Sequence, residues 1–334
     1  MNDAILIVGC GSIGERHLRC FQRTGRAEIV ACEPKPTVRE RMAHDYRVET
    51  FATLDEALEA RRFDGVVIAT LAHTHLDLAA KAISHGAAVL IEKPVSTSLV
   101  GVETFLQLVQ QSGRFAAVAY VYHLMPGIQA LHDQLRGGAL GKPLQVVVTT
   151  GQHFPTFRPA YREIYYTRHE TGGGAIQDIL THLVNAVEWL VAPVTRVYAE
   201  AAHQCLEGVT VEDTVCVAAR HGDVLASYAL NQFQSPNELL IQVHCENGSL
   251  AYEHHAQRWG CFPRGASNWE WHAATITDRD TLYIAQANAF LDGIKDKPTP
   301  LATLEEAVQT LKFNLAALES ARSGKAVEIG RAHV

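Results

Sequence analysis

A glycine-rich turn near the start of the chain narrows the possible fold more than any other feature. The apolar run Ala4–Val8 leads into Gly9-Cys10-Gly11-Ser12-Ile13-Gly14, and Ile13–Arg23 continues with helical spacing. A strand that passes through G-x-G-x-x-G into a helix has a physical logic. The first glycine permits the tight turn, the second lets backbone approach a pyrophosphate, and the third lets helix and strand pack closely. The helix N-terminus around Ser12 and Ile13 adds unpaired N–H donors and the positive end of the helix dipole. Glu33, just after the strand Glu28–Cys32, stands 19 residues beyond Gly14. A carboxylate there accepts hydrogen bonds from both hydroxyls of an adenosine ribose and repels a 2′-phosphate. NAD is therefore expected over NADP, with Lys35 close enough to offset part of the repulsion. The glycines alone also fit a plain strand-to-helix turn.

The rest of the first third keeps the rhythm that such a turn begins. Thr37–Asp45, Leu54–Ala60, His75–His85 and Leu99–Ser112 have helical spacing. Between and after them run the short apolar segments Gly65–Ala69, Ala88–Ile91 and Phe115–Ala119. Strands that alternate with helices at this spacing imply right-handed crossovers and a parallel sheet. After Pro126 the rhythm changes. Gly127–Leu135 is helical, and then Leu144–Thr150, Thr195–Ala202, Thr214–His221, Leu225–Phe233 and Leu239–Cys245 read as strands, interrupted by one helix, Ala175–Leu190. Runs of strands with few helices point to a mostly antiparallel sheet. The expected architecture is an α/β Rossmann domain over residues 1–125 plus an α+β domain with an open, mostly antiparallel sheet over 126–334. The closing helix Leu304–Ser323 is free to pack back on the first domain.

Composition removes several function classes. Lys plus Arg number 29 and Asp plus Glu 36, a net charge of −7 without any basic run. That argues against nucleic acid or an anionic membrane as the main partner. No stretch reaches the ~20 apolar residues that span a bilayer. The start, MNDAILIVGCG, lacks the features of a secretory leader. Seven scattered cysteines without a C-x-x-C read as reduced thiols of a cytoplasmic protein. The 17 histidines include no H-E-x-x-H, so no metal is expected.

Three places carry candidate chemistry. Thr70 and Glu92-Lys93-Pro94 close two strands of the parallel sheet, where carboxyl ends border the ligand crevice. A lysine held there has an obvious use in catalysis, and a surface Glu-Lys turn is the plain alternative. In Ala175–Leu190, residues Asp178, Thr181, His182 and Asn185 fall on one stripe of an otherwise apolar helix. The stripe suits a cleft, or an Asp–His pair that only satisfies itself. Gly172-Gly173-Gly174 before it would allow close backbone approach. The loop between Phe154 and His169 bears Arg158, Tyr161, Arg162, Tyr165, Tyr166 and Arg168. Such a set suits a sugar with a carboxylate or phosphate, or an arm between subunits.

Taken together these residues resemble the glucose–fructose oxidoreductase / inositol dehydrogenase family (Gfo/Idh/MocA) over nearly the whole chain. The likeness rests on Gly9–Gly14, Thr70 with His75 downstream, Glu92-Lys93-Pro94, and Gly172–Gly174 with Asp178 and His182. It also includes the closing Pro300-Leu301, Glu305-Glu306-Ala307, Ser320 and Gly324-Lys325. The resemblance implies Lys93, Asp178 and His182 as catalytic residues. It places Thr70, His75, Glu92, Lys93 and Pro94 beside the cofactor, together with Gly9, Gly11, Ser12, Ile13, Gly14 and Glu33. The chain departs from the family at Leu71, at Tyr120-Val121-Tyr122-His123 and at Asn185. Tyr122, His123 and Asn185 therefore join the loop residues as expected substrate contacts.

The function that follows is NAD-dependent hydride transfer at a carbinol or ketone carbon of a sugar, sugar acid or cyclic polyol. An NAD-dependent glycosidase working by transient oxidation, and a non-enzymatic dinucleotide sensor, are the competing readings. The resemblance and the strand pattern also imply a homodimer or homotetramer. Val215, Val217, Leu240 and Ile241 put apolar residues on both faces of their strands, which calls for cover on both sides.

Overall fold

The computed structural model of the chain describes residues 2–330. Met1 and residues 331–334, included in the two expected domains, lie outside the described residues. The first part of the chain follows the predicted alternation, with one further strand, β3, that the apolar pattern did not show: β1 (Asp3–Val8), α1 (Ser12–Arg23), β2 (Ala27–Cys32), α2 (Pro36–Tyr46), β3 (Glu49–Phe51), α3 (Leu54–Ala60), β4 (Gly65–Ile68), α4 (His75–Ser84), β5 (Ala88–Ile91), α5 (Val102–Ser112) and β6 (Ala116–Val118). Its strands form a parallel sheet in the order β3-β2-β1-β4-β5-β6. The order reverses beside β1, so the strand tips at Val8 and Ile68 flank the switch point where open α/β sheets bind ligands.

The second part begins with α6 (Pro126–Gly137), β7 (Pro143–His153) and the four-residue α7 (Phe154–Phe157). A π-helical turn (Ile176–Leu180) precedes α8 (Thr181–Leu190). The strands β8 (Val194–Ala202), β9 (Thr214–His221), β10 (Val224–Asn231), β11 (Phe233–Cys245), β12 (Gly248–Glu253), β13 (Arg258–Pro263) and β14 (Glu270–Ala273) follow. Then come α9 (Arg279–Gly293), α10 (Leu304–Ser323) and β15 (Val327–Glu328). The second sheet is nine-stranded, ordered β14-β13-β12-β11-β7-β10-β9-β8-β15. All its pairings are antiparallel except β7 with β10.

Two compact units result, but they do not meet at a single boundary near Pro126. The first takes the chain up to Leu124 together with Thr277–Ala307; the second takes Met125–Ile276 and resumes at Val308. The physical reason is α9. Its Ala287, Phe290 and Leu291 join Ile5, Ile7, Phe21 and Leu90 in one apolar core, and Arg19 of α1 holds Asp280 through two hydrogen bonds. The helix that returns to the first unit is thus α9. Of α10, expected in that place, only the first four residues group with it.

Burial along β9 and β10 of the second sheet alternates strictly. On β9 and β10, Val215, Val217, Ala219, Ala226, Tyr228 and Leu230 are covered, while Cys216, Ala218, Leu225, Ser227 and Ala229 are exposed. This corrects the expectation for Val215 and Val217, which share the covered face. Ile241 is buried and Leu240 half-buried. One face of the sheet stays open, and it mixes Tyr198 and Leu225 with Arg196, Glu200 and Arg220.

Candidate cofactor and active site

The three glycines of the first turn are glycines for different reasons. Gly9 has φ +87°, and a Cβ there would lie 2.7 Å from the Ala69 carbonyl oxygen. A Cβ on Gly14 would lie 1.8 Å from the Gly9 oxygen, so only glycine lets α1 sit this close to the strand. Gly11 is unlike both. Its φ of −67° suits any residue, and a Cβ there would meet nothing within 4 Å. The protein itself has no need of glycine at that position. An open space before the unpaired N–H groups of a helix is the cradle that a dinucleotide pyrophosphate requires.

Glu33 stands where the spacing puts it, 8% exposed at the tip of β2. Its two oxygens accept the N–H groups of Cys10 (2.9 Å) and Lys35 (3.0 Å), which ties the glycine turn to the next loop. Each oxygen keeps a lone pair for a ribose hydroxyl. Arg39, missed in the sequence, donates to the carbonyls of Glu33 and Pro34 and puts a second cation beside the exposed Lys35.

At the tips of β4 and β5 the expected residues divide. Thr70 is half-buried, its hydroxyl 2.8 Å from that of Thr74. Lys93 is half-buried and joined to Pro94 by a cis peptide bond. Glu92 and His75, both expected against a cofactor, are instead 7% and 1% exposed. Glu92 shares a 2.7 Å hydrogen bond with His17 Nε2 and accepts the Lys93 N–H at 3.2 Å. Burial would raise its pKa, but the hydrogen bond from His17 and the fields of His17, Lys93 and His75 outweigh burial and hold the carboxyl below its usual range. His75 lies between two carbonyl oxygens, Nδ1 3.0 Å from that of Pro94 and Nε2 3.2 Å from that of Thr70, and the neutral ring donates to one of them. Burial lowers its pKa, against the opposing pull of those carbonyls. Both residues hydrogen-bond backbone groups at the strand tips. His123, expected to touch substrate, is 1% exposed and lies 3.2 Å from the Pro300 carbonyl; its neighbour Tyr122 is half-buried.

In the second unit the predicted helix Ala175–Leu190 is not uniform. Its first turn, Ile176–Leu180, is π-helical, and the α-helix proper starts at Thr181. A π turn carries one residue more than an α turn and so shifts the face that follows. The expected stripe therefore splits. Thr181 and Asn185 join α10: Asn185 donates to the Thr310 hydroxyl and Asn314 to that of Thr181, each at 3.0 Å. Thr310 in turn donates to Glu188 at 2.6 Å. Asn185 is thus a buried structural residue, in place of a substrate contact. Asp178 lies inside the π turn, 3% exposed, and accepts the Tyr165 hydroxyl at 2.6 Å. His182 follows one turn later, half-buried.

The three glycines before this helix serve the loop itself. A Cβ on Gly173 would lie 2.2 Å from the Tyr166 carbonyl oxygen, and one on Gly174 2.6 Å from the Glu212 carboxylate. Glu212 accepts the Ile176 N–H at 2.9 Å and pairs with His169 at 2.6 Å, capping the helix start. That hydrogen bond raises the His169 pKa against partial burial. The preceding loop has its own small core of Phe154, Tyr161, Tyr166, Leu206, Val209 and Val211. Tyr161 and Arg162 both donate to the Glu207 carbonyl, and Tyr166 to Gln232 and the Glu212 carbonyl. These three hold the loop together. Arg158 is half-buried and Arg168 exposed, and Tyr165 reaches Asp178.

Among the described residues no group of three or more His, Cys, Asp or Glu side chains is placed to hold a metal ion. None of their helices is long and apolar enough to cross a membrane.

Residues 4–120 match the family described as "Oxidoreductase family, NAD-binding Rossmann fold" (GFO/IDH/MocA), and residues 128–251 match the GFO/IDH/MocA C-terminal domain. The rhizopine catabolism protein MocA of Rhizobium meliloti is 28% identical over 185 residues, 55% of this chain and 56% of that protein. A D-apiose dehydrogenase of Paraburkholderia graminis is 27% identical over 252 residues, 73% of this chain and 66% of that one. The chain thus spans between half and two thirds of the length of these curated relatives. Among solved structures, a levoglucosan dehydrogenase in complex with NADH and levoglucosan superposes with a TM-score of 0.88. It shares 17% identity, and the match covers 98% of this chain and all of that one.

Proposed function

The chain belongs to the GFO/IDH/MocA family of oxidoreductases, and from that premise we propose that it is an NAD-dependent dehydrogenase or reductase. Its substrate in this proposal is a sugar, sugar acid or cyclic polyol, reacting at a carbinol or ketone carbon. One observation carries the reading: the open Gly11 turn, the Glu33 carboxylate and Lys93 stand at the same end of one parallel sheet. Carboxyl ends of adjacent strands share an edge, so the residues that would hold a dinucleotide and the lysine that would meet the substrate border one crevice. The relatives named for apiose and the structure named for levoglucosan support a sugar or polyol substrate.

When bound, NAD supplies the acceptor or donor of the hydride. The chain's own residues supply the rest. Gly11 and the α1 N-terminus hold the pyrophosphate, and Glu33 holds the ribose and disfavours a 2′-phosphate. Lys93 donates a hydrogen bond to the reacting oxygen and stabilises its alkoxide character. His182 takes the hydroxyl proton during oxidation and returns it during reduction, a task that suits imidazole near neutral pH. Asp178, held by Tyr165, orients that imidazole or a neighbouring substrate hydroxyl.

Assembly through the open face of the second sheet, as a dimer or a pair of dimers, belongs to the same proposal, as does residence in the cytoplasm. Tyr198 and Leu225 on that face support the first, and seven free thiols support the second. A thermal-shift panel of sugars, uronates and inositols with NAD, followed by the absorbance of reduced nicotinamide, tests the activity. Net NADH formation with one of them is expected. Binding without net reduction across the panel would overturn the dehydrogenase reading.

A further inference from the structure

Behind Lys93 lies a buried polar pair. His17 sits in α1, three residues beyond the last glycine of the turn, on the face that also buries Leu18 and Phe21. Its ring is fully buried, and its Nε2 is 2.7 Å from Glu92 Oε1. The other ring nitrogen, Nδ1, is buried with no hydrogen-bond partner. A polar side chain kept in a core with one nitrogen unsatisfied is costly to retain for packing alone. The Nε2 bond is what the position gains by being histidine. That bond fixes the Glu92 carboxylate so that its second oxygen accepts the Lys93 N–H. One residue further on, His75 holds the Pro94 carbonyl. The backbone on both sides of the Lys93 side chain therefore meets buried groups, Glu92 and His75, and Glu92 is in turn held by His17 from the helix that follows the cofactor turn.

We propose that His17 and Glu92 are positioning residues for Lys93, linking the dinucleotide turn and α1 to the lysine so that both are held in one rigid frame. The inference rests on the reading of Lys93 as the group that meets the reacting oxygen. The pair shares its surroundings with Lys93 and His75, and with Tyr283, whose ring lies edge-on to His17 at 5.7 Å under the Arg16 guanidinium. Arg279 also acts on Tyr283. Arg16 has its own partner in Asp280 at 3.1 Å, and Glu92 is the carboxylate on which His17, Lys93 and His75 act.

The test compares His17→Leu, His17→Gln and Glu92→Ala with wild type and with Lys93→Ala. Amide hydrogen exchange at Lys93 reads the grip directly and needs no substrate. Exchange at least ~10-fold faster is expected in His17→Leu and Glu92→Ala, with the amides of β5 unchanged. In His17→Gln, whose amide can still donate to Glu92, protection should largely return. With a turned-over substrate, kcat should fall at least ~10-fold in His17→Leu while the Kd for NADH stays within about threefold. Unchanged Lys93 exchange in His17→Leu would overturn the proposal, as would equal losses in His17→Leu and His17→Gln. Lys93→Ala separates the two levels. Wild-type turnover in that variant would reject the role of Lys93 in the reaction, whereas the exchange data would still decide whether His17 and Glu92 hold its backbone.

Discussion

Replacing Gly11 and Gly14 by alanine, one at a time, separates what the fold needs from what the cofactor needs. At Gly11 the backbone is at φ −67° and ψ −173°, and the new methyl meets no atom within 4 Å. Stiffening of the unfolded chain stabilises such a variant by about 0.4–1 kcal/mol. The poorer N-cap preference of alanine offsets this by a similar amount. Stability should therefore stay within about 1 kcal/mol of wild type. At Gly14 the methyl would sit 1.8 Å from one backbone atom of Gly9 and 2.8 Å from another, and neither can rotate away. Helix α1 must shift, at a cost of about 3 kcal/mol or more. Urea denaturation measures both stabilities, and a fluorescence titration of NADH measures binding. The Gly11→Ala methyl projects into the space assigned to the pyrophosphate, so affinity should fall at least ~10-fold, or about 1.4 kcal/mol. A Gly11→Ala protein that is stable and binds NADH like wild type would mean that nothing approaches this turn.

Glu33 should make NADH bind at least ~10-fold more tightly than NADPH, and Glu33→Gln should narrow the gap by removing the charge that repels a 2′-phosphate; tighter NADPH binding by wild type would refute this and implicate Lys35 and Arg39. Buried His221 donates from Nδ1 to the Ala192 carbonyl and accepts the Tyr228 hydroxyl at Nε2, so only the neutral ring fits, and burial pushes its pKa down from 6.5 to about 4. The stability it contributes is complete above about pH 6.5 and is lost as pH falls toward 4, a loss of roughly 3 kcal/mol that His221→Phe should reduce when urea denaturation is compared at the two ends of that window. Light scattering at micromolar concentration should find a dimer or tetramer, and a stable monomer would show that the mixed open face of the second sheet stays wet.

Sequence patterns reveal most where one local rule governs. Five of the six strands of the first sheet were legible because they are short apolar runs in alternation with helices, and the glycine turn marks its start; β3, Glu49-Thr50-Phe51, has one apolar residue and was not. The place of Glu33 at the tip of β2 was legible from spacing alone. What escaped were elements set by distant contacts. Helix α9 has almost no one-sided apolar pattern, because Leu282, Ala287, Phe290 and Leu291 are covered around much of its circumference. Strands β12, β13 and β14 are short and carry Gly248, Gly260 and polar residues, so they resemble loops until β11 offers a template. The π turn has no residue signature, and without it Asp178, Thr181, His182 and Asn185 fall on a single stripe. Three-dimensional contacts send two of them to α10 instead. Tyr161, Arg162 and Tyr166 looked like sugar ligands because Arg and Tyr serve equally well to tie a loop to its own carbonyls. His17 did leave a trace, as a polar residue on the apolar face of α1 that required a partner.

The central claim is hydride transfer between NAD and a carbinol carbon, with Lys93 and His182 acting on the substrate oxygen and its proton. Steady-state NADH formation with the best sugar or polyol from the panel tests it most directly, measured for wild type, Lys93→Ala and His182→Ala beside the Kd of each protein for NADH. The expected result is net NADH production by wild type. Each variant should lose at least ~10²-fold in kcat, the scale of one acid–base or alkoxide-stabilising group, while NADH affinity changes by no more than about threefold. Near wild-type kcat in either variant would remove that residue from the mechanism, and no net NADH with any sugar or polyol would contradict the proposed reaction itself.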